Sequence, residues 1–244
     1  MRKLILALVL VLAAGLCFAQ EEETAQEGTA QEGTTQEAES EKFNMEILVG
    51  VLVHSIKSPT PHEFLGSNAT DKTVTSNTTL GFAMTFAVHK FVGLTLDADL
   101  FFGGEVGGQS SPQSSSVSLF GANVLFGPSF YLYKYRTFRI PLALGAHMFY
   151  WDSTAWMPTL NTAGAPGSGW LRLNDLQVGL GLSVGIHFYF THNAYMISRA
   201  NVSADFFRWH KTRLSNGATT VDESETEFAV GWGIRPTIGL GLKF

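Results

Sequence analysis

Cysteine is almost absent: Cys17 is the only one in 244 residues, and it lies within the first twenty. A disulfide framework and a thiolate metal site are thereby excluded, and if a leader is cut after Ala19, so are thiol catalysis and CxxC redox chemistry. Long apolar runs are also missing. Beyond residue 20 nothing approaches the roughly 18 residues that a transmembrane helix needs. Excess charge of one sign is confined to one end. Residues 1–42 hold three basic and eight acidic residues, which leaves thirteen of each from Phe43 onward. A neutral remainder of this kind gives no electrostatic case for nucleic-acid binding. The seven histidines show no zinc-ligand spacing. The run "GLGLSVG" (179–185) is no phosphate loop, because its glycines fall on alternate positions of a strand. Neither a cofactor nor a metal is called for.

What is present begins with a basic start (Arg2, Lys3), an apolar stretch and small residues before Gln20, the pattern of a secretory signal peptide spanning 1–19. Lipoprotein processing before Cys17 is the competing reading, but bulky Leu16 stands where a small residue is normally required. From 20 to 42 the chain turns acidic and repetitive, with "TAQEG", "TAQEG" and "TTQEA" in tandem. Such a tract has too little apolar surface to offset its ordering entropy, so it reads as a disordered tail.

From Phe43 the dominant signal is a period of two, the signature of β-strands. Residues 80–88 place Leu80, Phe82, Met84, Phe86 and Val88 on one face and Gly81, Ala83, Thr85 and Ala87 on the other. The same pattern recurs over 45–53, 92–102, 120–132, 138–150, 176–188, 196–206 and 228–244, which makes eight strands. No Asp, Glu, Lys or Arg interrupts any apolar stripe. A charge on a lipid-facing strand costs about 2–4 kcal/mol at mid-bilayer, so eight clean stripes point to lipid contact. The opposite faces are small or polar, which suits a crowded lumen. An open sheet edge in lipid would leave backbone groups unpaired, so the predicted fold is all-β: a single eight-stranded antiparallel up-and-down transmembrane barrel over 43–244.

Connections alternate between short (89–91, 133–138, 191–195) and long (58–76, 103–116, 152–170, 210–225). Short periplasmic turns opposite long external loops is the outer-membrane arrangement, and it puts both termini in the periplasm. Tyr131, Tyr133, Tyr135 and Phe138 at one end, with Tyr150, Trp151 and Trp209 at the other, are candidates for two aromatic girdles. The chain stops on an aromatic still in phase, with Leu240, Leu242 and Phe244 on alternate positions. On these residues 43–244 resembles a small eight-stranded bacterial outer-membrane protein of the OmpX/OmpW type, with spirochaetal barrels that carry an acidic N-terminal repeat a further likeness. That resemblance implies that Leu240, Leu242 and Phe244 form the signal read by the barrel-assembly machinery, that outer-membrane lipid surrounds the chain, and that it is a monomer. It carries no catalytic residue.

The inward positions hold the chemistry. Glu46, Asp97, Asp99, Asp205 and Glu227 share the predicted lumen with Arg139, Arg199 and Arg235. A narrow barrel leaves room for side chains and little water, so the favoured reading is an ion-paired plug; a charged constriction that selects small solutes is the alternative. Because the first and last strands meet on closure, Glu46 is placed to pair with Arg235 or Lys243. His54, His89, His147 and His187 read as lumen residues, and His62, His192 and His210 as loop or turn residues. A lipid A deacylase reading rests on His210, Ser215 and Glu225, but four residues separate His210 from Ser215 where that family's motif is compact. The chain is therefore read as no enzyme. It is expected to be an OmpW-like barrel, either a narrow channel for small or hydrophobic solutes or a sealed barrel that binds an extracellular ligand through its four long loops.

Overall fold

The computed structural model describes residues 43–57, 71–89, 91–107, 117–134, 137–162, 165–215 and 220–244. The expected signal peptide (1–19) and acidic tail (20–42), with His62 and Tyr135, lie outside the described residues. Among the described residues there are ten strands: β1 (Phe43–Lys57), β2 (Asp71–His89), β3 (Val92–Phe102), β4 (Glu105–Gly107), β5 (Val117–Lys134), β6 (Phe138–Thr162), β7 (Ala165–Tyr189), β8 (Ala194–Ser215), β9 (Thr220–Glu227) and β10 (Val230–Lys243). All pairings are antiparallel, and β1 pairs with both β2 and β10, so the sheet closes on itself. β4 carries on from β3 along β2, and β9 leads into β10 along β8. The ring therefore has eight staves, two of them broken. Closure runs to the last residue, where Phe244 N donates to Phe43 O at 2.8 Å and Phe43 N to Phe244 O at 3.3 Å.

Alternation sorts the side chains as lipid demands. Ile47, Leu80, Leu144, Leu180, Met196 and Leu240 are each half-exposed or more on the outward face. A continuous apolar girdle of this extent would be untenable in water and is what a hydrocarbon environment requires. The inward face mixes small residues with large ones that fill the space opposite. Tyr195 lies flat on Gly241, where an added Cβ would come within 2.2 Å of the ring, and Phe101 fills the space over Gly121 in the same way.

The strands outrun the expected segments. Residues 152–170 are not a loop, since β6 and β7 stay paired from Trp151↔Asp175 to Thr162↔Ala165. Residues 210–225 are likewise a hairpin, with β8 and β9 paired from Arg208↔Glu227 to Ser215↔Thr220. Inward Leu171 and Leu214, packed with Leu173 and Val221, give these arms an apolar side of their own. Trp151 is not a girdle residue. It shares the inward phase of His147 and Phe149 and is 1 % exposed. Tyr131 also turns inward, and its hydroxyl accepts a hydrogen bond from Asn44 Nδ2 at 2.8 Å.

Two local devices matter for the interior. Phe206 and Phe207 both face outward, a bulge opposite Val178/Gly179 of β7 that shifts the phase of β8 by one residue. After β3, Gly103 and Gly104 adopt φ of 67° and 125°, a region that only glycine enters freely, and this breaks the third stave.

Candidate functional site in the barrel interior

Charged and aromatic side chains fill the barrel in layers. At the short-turn end the Arg139 guanidinium sits 4.5 Å from the Tyr189 ring centroid and 5.9 Å from that of Tyr131. Above it, Tyr195 Oη donates to Glu46 Oε1 at 2.9 Å and stacks on His187 at 4.4 Å. His187 Nε2 lies 3.2 Å from the same Glu46 oxygen, while Glu46 Oε2 takes the Arg199 guanidinium. Arg199 then reaches on to Asp97, with Nη1 donating to Oδ2 at 3.0 Å. That one oxygen also accepts from Arg235 Nη2 and from Asn201 Nδ2, each at 2.8 Å. Arg235 pairs in addition with Asp99. Glu46, Arg199, Asp97, Arg235 and Asp99 thus form one chain of ion pairs across the barrel, and all are buried.

Glu46 consequently meets Arg199 and not Arg235. In the β1–β10 register Glu46 faces Gly241, six residues along the strand from Arg235, which is too far for the neighbouring-strand pair expected from closure. Asp205 belongs to a separate group. His54 Nε2 lies 2.8 Å from its Oδ2 and His147 Nδ1 2.7 Å from its Oδ1, with Asn123 on the far nitrogen of His147. Phe149 stacks on His54 at 4.0 Å and starts an apolar layer of Leu52, Val74, Phe101, Leu119 and Trp151. Toward the long-loop end, Glu227 pairs with Arg208 at 2.8 Å, and Arg208 donates to Asp175 Oδ2 from Nε at 2.7 Å.

Asp175, Arg208, Gln177, Asn123 and Asn201 were not singled out from the sequence. The phase of 176–188 does place Asp175 and Gln177 inward. Arg208 was hidden by the bulge, since strict alternation from Met196 would turn it to lipid. His210 is interior as well, 3.9 Å from Glu227, and not a loop residue; His89 is exposed beside a short turn. Ser215 does not approach His210. The two lie five residues apart, about 16 Å along β8, and on opposite faces. Among the described residues no group of His, Cys, Asp or Glu is arranged to hold a metal ion.

The packing leaves little free space. A void of about 10 Å³ adjoins Glu46, His187 and Arg199, and another of the same size adjoins His54, His147 and Arg235. Each has room for about one water molecule.

No family model matches the sequence, nor does any curated protein. Solved structures do match by shape. The outer membrane protein AlkL in lipid bilayers gives a TM-score of 0.51 at 11% identity, over 88% of this chain and 97% of that one. The fold is that of the small outer-membrane β-barrels. A major outer membrane protein of Thermus thermophilus (12% identity, 82% and 99% covered, TM-score 0.47) and the attachment invasion locus protein Ail of Yersinia pestis (11%, 83% and 99%, 0.39) are further neighbours. At such identity the likeness is one of fold. Within that fold the outward girdle is the lipid-facing surface.

Proposed function

We propose that the chain is a sealed outer-membrane barrel that acts at its long-loop end, with the short turns and both termini in the periplasm. The observation that carries this reading is the ion-pair chain from Glu46 to Asp99, which crosses the interior beside two voids of about one water each. Opening a path through it would separate buried charges, and stripping one partner from such a pair costs about 3–5 kcal/mol. The paired arms β6–β7 and β8–β9 continue well past the lipid-facing girdle, and they supply a rigid support for binding an extracellular ligand. The outward Leu240, Leu242 and Phe244 are assigned as the signal by which the assembly machinery recognises the closing strand.

A second reading is favoured by one observation. From Phe149 toward the long-loop end an apolar layer of Leu52, Val74, Phe101, Leu119 and Trp151 fills part of the interior, beside the Arg208–Asp175–Glu227 ion pairs. Such a layer suits OmpW-like handling of small hydrophobic solutes better than passage of ions. Solute uptake by vesicles that contain the folded protein separates the two. The sealed reading expects neither a small sugar nor a small apolar solute to enter faster than in empty vesicles. Selective entry of the apolar solute would establish the second reading, and entry of the sugar would refute both.

A further inference from the structure

Past the girdle, the outward face of β6 to β9 changes from apolar to an ordered set of rows. Tyr150 and Leu176 end the apolar face on β6 and β7. The next outward row holds Asp152, Asn174 and Lys211; the row above it holds Arg172, Arg213 and Asp222; and the third sets Trp156 beside Trp170. None of these residues faces the lumen or takes part in the ion pairs described above.

Arg172 and Arg213 stand directly opposite one another on neighbouring strands, where like charges repel. Each is held by a carboxylate on its far side. Arg172 donates from Nε at 3.0 Å and from Nη2 at 2.5 Å to Asp152 Oδ2. Arg213 donates from Nε to Asp222 Oδ1 at 2.7 Å and from Nη2 to Oδ2 at 2.9 Å. Lys211 Nζ is 3.6 Å from the same Asp222. Three cations therefore share two carboxylates, and the β7–β8 seam keeps a positive excess. About half of each arginine side chain is open to the surroundings, 51% for Arg172 and 46% for Arg213. The Trp156 and Trp170 rings meet edge to face at 5.1 Å, and Trp170 is 49% exposed.

Height above the girdle identifies the occupant. Arg172 is four residues beyond Leu176, about 10 Å along the membrane normal for a strand tilted by about 40°. Trp156 is six beyond Tyr150, about 15 Å on the same basis. An ordinary phospholipid headgroup layer is only about 5–8 Å thick on each side of the hydrocarbon core. The Arg row therefore lies at or just above the level of the headgroups, and the Trp row lies beyond their reach. The face is also continuous with the lipid-facing girdle, so a ligand seated on it belongs to the same leaflet.

We propose that this face docks the phosphorylated sugar headgroup of an outer-leaflet glycolipid, with phosphate on the Arg172–Arg213 seam beside Lys211 and sugar against Trp156 and Trp170. Planar guanidinium forks match phosphate oxygens, and a shared anion relieves the repulsion between the two arginines. Indole faces supply apolar contact to sugar C–H groups while leaving the hydroxyls hydrated. The site rests on the orientation proposed above but not on whether the lumen is sealed.

The test uses the full mature chain folded into phosphatidylcholine vesicles doped with either lipid A, a phosphorylated glucosamine-disaccharide lipid, or phosphatidylglycerol, followed by detergent extraction and native mass spectrometry of the lipid retained. Retention of lipid A is expected to exceed that of phosphatidylglycerol, and to fall about tenfold in Arg172→Gln/Arg213→Gln, as the loss of charge-assisted hydrogen bonds implies. A Trp156→Leu/Trp170→Leu protein is expected to lose the preference for lipid A while keeping weak anion binding. Equal retention of the two lipids by the wild type, or retention unchanged in the arginine variant, overturns the proposal. Heat-modifiable gel mobility checks folding; should the double arginine variant not fold, Arg213→Gln and Lys211→Gln singly decide by the same criterion. In solution, lipid A is expected to shift the tryptophan emission of the wild type to the blue, and no shift counts against the site.

Discussion

Asp97 takes three hydrogen bonds on a single carboxylate oxygen, from Arg199, Arg235 and Asn201, and it is 1 % exposed. A residue so placed has no substitute partner in water. Arg235→Ala should therefore leave both Asp97 and Asp99 short of a cation and destabilise the barrel by about 3–5 kcal/mol, read as a lower urea midpoint for loss of the heat-modifiable band. A double-mutant cycle between Glu46 and Arg199 should give a coupling of about 0.5–3 kcal/mol, whereas Glu46 and Arg235 should show little, since they touch different groups. Outside the girdle the charges behave differently. The Arg213 hydrogen bonds hold the Asp222 carboxyl below its ordinary value. A depressed carboxyl contributes stability above the ordinary value of about 3.9 and loses it as pH falls through the lower folded-state value. Pairing between the β8 and β9 tips should thus loosen in acid, seen as faster amide exchange at low pH after correction for the intrinsic rate, and Asp222→Asn should abolish that dependence. Apart from Arg208, which the bulge hides, that an interior charge points inward was legible from its phase in the sequence. Its partner was not, because register and the facing wall of the barrel decide it.

At the scale of the element, the bulge at Phe206 and Phe207 has the largest consequence. It turns Arg208 into the barrel, where it binds Asp175 and Glu227. Without the extra residue Arg208 would face outward at the edge of the girdle, at a cost of up to about 1 kcal/mol there and without its two carboxylate partners. Cysteines placed singly at 206 and 207 should both react with a membrane-soluble maleimide, and cysteines at 205 and 208 should not. Alternating reactivity straight through 205–208 would remove the bulge from the account. A period-two reading detects strands well, but it carries no signal for an inserted residue, and that is why β8 was expected to end at Phe206. The arms were missed for a related reason. Residues 152–170 and 210–225 are polar enough to read as loops, yet Leu171, Leu173 and Leu214 lie on one side and pack there. So small an inward apolar set within two hairpins does not stand out from composition alone.

For the molecule as a whole, closure and lipid contact were written in the eight uncharged stripes, and the β1–β10 register completes the ring to the final residue. What fills the barrel was legible only as a list of inward charges. Their order along the axis emerges once the staves are in register: a cation–aromatic layer, an ion-pair layer, a His–Asp–His layer, and then apolar packing beside the Arg208–Asp175–Glu227 ion pairs. The central claim is that the ion-pair layer seals the barrel. Planar-bilayer conductance of the folded mature chain tests it most directly, with heat-modifiable mobility as the check on folding. The wild type is expected to be folded and electrically silent, and Arg235→Ala, if it inserts, to be the variant in which current first appears. Discrete conductance steps from the folded wild-type protein would contradict the account and make the interior charges the lining of a pore.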